Sequence, residues 1–149
     1  MVKEFVKFFT KKNILEGMDI ALVRGEYYSV TSEQRKLLPK SPFYIGQYLG
    51  RRRGKDFFPS LFLLNLLAKE SEKKISINDK GEWLFICGRD LFAKSIVVKH
   101  GAIGELVLVL NKYEECLGYG SIIAKFNAEH TVVKNLFDIG DFLRRERKN

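Results

Sequence analysis

The last twelve residues, DIGDFLRRERKN (138–149), contain closely spaced basic residues that could bind an anion. On a helix, Arg144 and Lys148 are four residues apart and share one face, with Arg145 beside them. A guanidinium binds phosphate oxygens through paired hydrogen bonds, and an ammonium group adds a point charge. The same cations would also complement the dipole of a helix C-terminus. The sequence therefore leaves open an anion-binding surface or a solvated helix end.

A second basic cluster lies in the stretch GRRRGKDFF, residues 50–58. Side chains alternate along a strand, so Arg52 should point away from Arg51 and Arg53. If the stretch is a turn, its glycines would let the backbone approach a ligand closely. The pattern fits nucleic-acid contact and the solvated tip of a hairpin equally well.

The sequence contains no recognisable catalytic constellation. His100 is at a predicted strand end near Gly101 and His130 is in a predicted turn, and no local motif places a nucleophile beside either one. GRRRGK resembles a phosphate-binding loop only superficially, because its spacing is short and Asp56 replaces the required Ser or Thr. Cys87 and Cys116 suggest neither a disulfide framework nor a zinc site. We therefore expect no enzymatic activity, no cofactor, no metal and no small-molecule substrate.

Composition favours a folded protein with a polyanionic partner. Hydrophobic residues make up 46% of the chain, and the net charge is +8. Residues 1–74 hold 15 basic and 8 acidic side chains, whereas residues 75–149 hold 11 and 10. No apolar run approaches the roughly 18 residues that a membrane span needs. We expect no membrane association and a cytoplasmic, intracellular location, nucleolar only if the source is eukaryotic.

The first half of the chain predicts an antiparallel sheet with helices. Val2, Phe5, Val6 and Phe9 have helical spacing, and Gly17 is the predicted end of that helix. DIALVRGEYYSV predicts two strands around an Arg-Gly turn. SEQRKLL predicts a short helix whose N-cap is its serine. SLFLLNLLAKES is apolar nearly all round, so this helix should be covered on more than one side, for example by a second domain.

The second half predicts a small β-rich domain after the charged linker KESEKK, with the boundary after residue 74. DKGEWLFICGRDLFAKS predicts one or two short helices broken at Gly88, with Asp90 capping the second. Four strands follow: IVVKH, ELVLVLN, CLGYGSIIAK and TVVKNLF. Asp138 is the predicted cap of a closing helix. The glycines of LGYG indicate close backbone approach or a bend, as a tightly closed small barrel needs.

Several of these segments carry a family resemblance. FICGRDLFAKS, the LGYG strand and the closing strand–Asp–Ile–Gly–helix resemble a PUA domain, the pseudo-barrel found in pseudouridine synthases and archaeosine transglycosylases. Upstream, YYSVTSEQRKLL, YIGQYLGRRRGKDFFPSLFLLNLLA and EWLFICGRD follow in the order of one family. Over about residues 19–147 the chain resembles the Nip-seven family of large-subunit ribosome-biogenesis proteins, in an archaeal-like short form.

The resemblance implies an α+β fold with two domains. Residues 1–74 would form an N-terminal α/β domain with an antiparallel sheet, and residues 75–149 a C-terminal PUA-like β pseudo-barrel. It also implies binding to single-stranded segments of rRNA or pre-rRNA during large-subunit assembly, without catalysis. Carried over residue by residue, it puts the RNA face on Arg144, Arg145, Lys148, Arg89 and Lys94. The stretch Arg51, Arg52, Arg53 and Lys55 is the second candidate.

Two other functions stay open. The N-terminal domain could dock a protein partner, which would make the chain an adaptor in an assembly complex. The apolar helix SLFLLNLLAKES motivates this alternative. The chain could also be the accessory RNA-binding part of an RNA-modification system, since PUA domains often accompany modifying enzymes.

Overall fold

The structure is a computed structural model that describes residues 1–141 and Arg144. The chain divides into two compact units, Met1–Glu70 and Ser71–Asn149. The sequence places the domain boundary after Lys74, whereas in the structure Lys74 is the first residue of a strand in the second unit.

The first unit is built on a four-stranded antiparallel sheet whose strands lie side by side in chain order. They are β1 (Asp19–Val23), β2 (Glu26–Val30), β3 (Gln47–Arg53) and β4 (Asp56–Pro59). The hairpin predicted at Arg24 and Gly25 is confirmed, and these residues have φ angles of 53° and 82°. Two positive φ angles are typical of the tight turn whose twist matches the flanking strands.

Three helices accompany this sheet: α1 (Val2–Lys7), α2 (Ser32–Arg35) and α3 (Leu61–Glu70). The first helix ends well before Gly17, so its predicted length was wrong. The N-cap of α2 is Thr31, because its hydroxyl accepts from the Gln34 amide while the Gln34 side chain accepts from the Thr31 amide. The predicted Ser32 cap was therefore wrong by one residue.

The core of the first unit combines the sheet with residues from the N-terminal segment. Tyr28 is buried with Ala21, Val30 and Ile45. The Phe5 ring lies 5.2 Å from the Phe57 ring, which ties α1 to β4. These contacts follow from the alternation of apolar side chains along the strands and the helical spacing in α1.

Helix α3 is only partly buried. Leu63, Leu64 and Leu67 are fully buried, as the sequence predicts for so apolar a helix. In its first turn Leu61 and Phe62 are 54% and 41% exposed. The helix also continues through Glu70, so the predicted linker of residues 69–74 was wrong at its start.

The second unit is a curled six-stranded sheet in the order β6-β10-β9-β8-β5-β7. Its strands are β5 (Lys74–Ile77), β6 (Leu91–Phe92), β7 (Ile96–Val98), β8 (Leu106–Leu110), β9 (Cys116–Ile122) and β10 (Thr131–Asp138). Neighbours are antiparallel except β5 and β8, which are parallel. The two edge strands β6 and β7 are joined only by a 3₁₀ turn, so the sheet curls into a nearly closed pseudo-barrel.

The region around Gly88 differs from the sequence-based expectation. Helix α4 (Asp79–Ile86) forms as predicted, but residues 88–95, all of which the structure describes, form no second α-helix, and their only helical turn is a 3₁₀ turn at Ala93–Ser95. Leu91 is 1% exposed and pairs with Val133 as part of β6, because burying this leucine outweighs local helix propensity. Asp90 therefore precedes a strand rather than a helix, and it accepts a 2.8 Å hydrogen bond from the Asn135 amide.

The barrel core and its glycines agree with the sequence. The four predicted strands appear as β7 to β10, and β5 was missed. A methyl group on Gly118 would collide with the Phe137 carbonyl, and one on Gly120 would lie 2.5 Å from the Lys134 carbonyl oxygen. The close backbone approach predicted for LGYG is thereby confirmed. The predicted α+β fold class, an antiparallel N-terminal sheet and a C-terminal pseudo-barrel, is also confirmed.

Candidate nucleic-acid interface

Arg144 is anchored inside the pseudo-barrel unit. Its two terminal nitrogens donate to the two carboxylate oxygens of Asp138, each at 2.9 Å. Its Nη1 also donates to the Ile86 carbonyl at 2.5 Å. The Asp138 side chain is 3% exposed, so Arg144 neutralises a buried carboxylate. The hydrogen bond to Asp138 raises the pKa of Arg144 above its usual value.

The backbone around this ion pair is closely fitted. Ile139 donates its amide to the Leu117 carbonyl at 2.9 Å, and Gly140 lies against the Ile86 carbonyl, where a side chain would collide. The sequence assigned Asp138 to a cap and missed its ion pair. Asp138 is an acidic residue at the end of an apolar strand, directly before Ile139 and Gly140. This position is the sequence feature that could have suggested a buried carboxylate paired with Arg144.

The predicted closing-helix cluster is thus only partly described. The guanidinium of Arg144 already makes three hydrogen bonds within the fold, and its side chain is 38% exposed. Arg145 and Lys148 lie outside the described residues. Their role in binding RNA stays a prediction.

Arg89 and Lys94 are exposed side chains on a fixed backbone. The Arg89 amide donates to the Leu84 carbonyl at 2.9 Å, just after α4. The Lys94 carbonyl accepts a 3.1 Å hydrogen bond from the Asn78 side chain. The ammonium group of Lys94 lies 5.9 Å from the centre of the Phe92 ring. Gly88 packs against the Arg144 guanidinium, so the Arg89 turn adjoins the buried ion pair.

The four cations of the other candidate stretch lie at the β3–β4 hairpin. Arg51 and Arg53 have their guanidinium carbons 5.7 and 5.9 Å from the centre of the Phe58 ring. The register pairs Arg52 with Phe57, and its Nε donates to the Gly54 carbonyl at 3.1 Å. The expected alternation of the three arginines is therefore seen. Lys55 is exposed in the turn.

A further cation–aromatic pair was missed by sequence reasoning. The guanidinium carbon of Arg24 lies 4.3 Å from the centre of the Phe43 ring. Phe43 and its neighbour Tyr44 are 71% and 83% exposed. The dipeptide follows Pro42 in the connection between α2 and β3. Two consecutive aromatic residues directly after a proline are the sequence feature that could have marked this loop.

Groups with other chemistry are scattered or already bonded. His100 and His130 are exposed, and no group of three or more His, Cys, Asp or Glu is placed to hold a metal within the described residues. Cys116 is buried and Cys87 is exposed. None of the helices within the described ranges has the length and apolarity that crossing a membrane requires.

A surface cleft of the first unit is lined partly by polar side chains, and two pairs of these polar residues bond to each other. The cleft lies beside α2 and the ends of β1 and β2. Arg35 forms an exposed ion pair with Asp19, which lowers the pKa of that carboxyl, and Thr31 bonds to Gln34. Such mutually satisfied groups have little capacity left for a ligand.

The pseudo-barrel, its glycine-bearing β9 and the turn after β10 define a PUA domain protein. Residues 73–147 match the UPF0113 PUA domain family, and the chain belongs to this family. The predicted PUA domain is thereby confirmed. A UPF0113 protein of Archaeoglobus fulgidus is 27% identical over 159 residues, which cover 99% of this chain and 90% of the relative.

Solved structures share the fold. A conserved PUA domain protein from Thermoplasma acidophilum matches with a TM-score of 0.57 and 23% identity, over 98% of this chain and 95% of its own. A PUA domain protein from Aeropyrum pernix, solved as a tartrate complex, matches with a TM-score of 0.62 and 14% identity, over 99% and 84%. A hypothetical protein from Pyrococcus horikoshii gives 0.57 and 16%, over 92% and 89%. At these identities the likeness extends to the fold alone.

Proposed function

We propose that this chain is a non-catalytic RNA-binding factor that acts in pre-rRNA processing and assembly of the large ribosomal subunit. The observation that supports RNA binding most directly is the PUA fold with exposed cations on its surface. Arg89 and Lys94 project from backbone that is fixed by hydrogen bonds, so binding RNA would cost little ordering of the main chain. The ribosomal role rests on the resemblance to the Nip-seven family.

The mode of binding is recognition of the RNA backbone with limited base contact. Each cation that neutralises a phosphate releases a counterion, so affinity should fall as salt rises. The net charge of +8 adds a long-range attraction for any polyanion. Single-stranded or bulged RNA is the expected target because its base edges and phosphates are accessible together.

The test is RNA binding by the full chain, measured with a fluorescent single-stranded RNA at several salt concentrations. Replacing Arg89 and Lys94 by alanine should reduce the slope of log affinity against log salt by about 0.7 for each phosphate that is no longer neutralised. A matched control replaces Lys99 and Lys125, which are exposed lysines of the same unit. An unchanged slope in the first variant, or an equal reduction in the control, contradicts a local RNA site at this turn.

The predicted closing-helix cluster of Arg144, Arg145 and Lys148 needs a separate variant. Arg144→Ala would remove the partner of buried Asp138, so weaker binding could reflect disrupted folding. Arg145→Ala with Lys148→Ala avoids that ion pair and tests the predicted RNA contacts. Normal affinity and an unchanged salt slope in this variant would count against the closing cluster.

The absence of catalysis is part of the proposal. Cys116 is buried and its thiol pKa is raised to about 12, which disfavours the thiolate that a nucleophile needs. Incubation with rRNA fragments should return them chemically unchanged, as judged by mass spectrometry of the nucleosides. A modified nucleoside would overturn this part and favour a modification system.

A protein adaptor is the second candidate. Leu61 and Phe62 favour it, since they expose apolar surface at the start of α3. Phe62→Ser should then weaken association with pre-ribosomal particles while binding to naked RNA stays normal. If the wild type and Phe62→Ser associate equally with pre-ribosomal particles, the exposed start of α3 does not support an adaptor role.

A further inference from the structure

One face of the first unit combines exposed aromatic rings with arginine side chains. We define the aromatic–arginine face by the following residues: Arg24, Phe43, Tyr44, Arg51, Arg53 and Phe58. Phe43 and Tyr44 are 71% and 83% exposed, which is unusual for adjacent large aromatic side chains. Burial in the core does not account for these two rings.

Hydrogen bonds and strand register join the loop to the sheet. The hydroxyl of the buried Tyr28 donates to the Glu26 carboxylate at 2.6 Å, and its oxygen also lies 3.4 Å from the Phe43 carbonyl oxygen. Glu26 pairs across the strands with Arg51, and Arg51 pairs with Phe58 on β4. Paired residues share a face of the sheet, so the face extends from the Phe43 loop to the hairpin.

The arginines of this face are not engaged in ion pairs with described residues, although strand pairing puts the carboxylates of Glu26 and Asp56 opposite Arg51 and Arg53. Within the part of the chain that the structure describes, Arg24, Arg51 and Arg53 form no ion pair, whereas Arg35 and Arg144 each do. The Arg24 guanidinium lies 4.3 Å from the centre of the Phe43 ring and donates to the Ser41 carbonyl at 3.2 Å. A guanidinium over a ring keeps its outer donors available to phosphate oxygens.

We propose that the aromatic–arginine face binds single-stranded RNA. Unpaired bases stack on Phe43 and Tyr44, while Arg24, Arg51 and Arg53 contact the adjacent phosphates. Charge complementarity favours RNA as the occupant, because the three arginines outnumber the two carboxylates on this face, Glu26 and Asp56, and the exposed π-faces suit a nucleobase. A duplex would not fit this mode because its bases are already stacked. The inference rests on the proposed RNA binding and assigns it a second surface, on the first unit.

The test compares full-length variants on a fluorescent oligouridylate and on a duplex RNA of equal length. Phe43→Ala with Tyr44→Ala should weaken binding to the single strand by about fivefold or more for each ring, with an unchanged salt slope. Phe43→Leu with Tyr44→Leu keeps apolar bulk without a π-face and should weaken binding to the same extent. Arg24→Ala with Arg53→Ala should instead lower the salt slope.

Controls separate this inference from the proposed function. Tyr113→Ala removes a ring of similar exposure from the second unit and should leave affinity unchanged. If the wild-type chain binds no RNA, the proposed function itself fails. If it binds RNA while both Phe43/Tyr44 double variants keep full affinity, only the present inference is overturned. That second result would point to a protein partner on this face.

Discussion

The Arg144 guanidinium donates hydrogen bonds to the buried Asp138 carboxylate and to the backbone carbonyl of Ile86. Ile86 is the last residue of α4 and lies 58 residues away in sequence. Local spacing suggested only the face that Arg144 shares with Lys148. The hydrogen-bond partners of Arg144 depend on the packing of the end of β10 against α4, which is a tertiary contact that local sequence patterns do not specify.

Removing one partner of this buried pair should destabilise the second unit. Arg144→Ala leaves the Asp138 carboxylate buried without a cation, which we expect to cost about 2–3 kcal/mol because the arginine end is partly solvated. Urea unfolding of the wild type, both single variants and Arg144→Ala/Asp138→Ala would give the coupling energy. Additive single effects would contradict the structural role of this pair.

The two cysteines should differ sharply in reactivity. Burial raises the pKa of the Cys116 thiol to about 12, so at pH 8 it is protonated as well as inaccessible. Cys87 is exposed. A thiol reagent should modify one cysteine per native chain and the second only in denaturant. Cys87→Ser is the control, and rapid native labelling of that variant would mean that β9 opens readily.

At the scale of whole elements, turn chemistry and side-chain alternation were predictable. The Arg-Gly turn specified the β1–β2 hairpin, and the glycines of β9 marked close backbone contact. Strands β5 and β6 could not be predicted, because they are four and two residues long. These residues form strands because β5 pairs with β8 and β6 pairs with β10, not because of their intrinsic β-propensity.

The start of α4 is an element whose stability can be tested. Asn78 accepts from the Gly81 amide at 2.8 Å as N-cap and donates to the Lys94 carbonyl at 3.1 Å. Asn78→Ala should cost about 1–2 kcal/mol, since it removes both hydrogen bonds. Asn78→Asp keeps the cap but removes the donor, so it should destabilise less. Equal unfolding midpoints for wild type and the alanine variant would exclude this role.

For the candidate interface, the sequence identified the cations and aromatic residues of the β3–β4 hairpin but not the pair formed by Arg24 and Phe43. It singled out Arg51 and Arg53, and the alternation along β3 was predictable. The Arg24–Phe43 contact was not, because it joins a hairpin turn to a distant loop. Which arginines are neutralised is a tertiary property, and it separates Arg144 from the arginines of the hairpin.

At the scale of the molecule, charge is distributed unevenly and should act through association rates. Residues 1–74 carry 15 of the 26 basic side chains. Lys3, Lys7 and Lys11 are exposed in the N-terminal segment, where we call them the lysine stripe, and we expect this stripe to attract RNA without contacting it. Changing all three to Gln should slow RNA association at low salt and leave dissociation unchanged.

Stopped-flow fluorescence with labelled single-stranded RNA, at about 50 and 200 mM salt, checks this prediction. The difference between variant and wild type should shrink at the higher salt, because the screening length falls to roughly 8 Å near physiological ionic strength. Lys99→Gln with Lys125→Gln tests whether charge elsewhere on the chain has the same effect. Faster dissociation of the triple variant would mean that the stripe touches RNA directly, and the interface would then extend to α1.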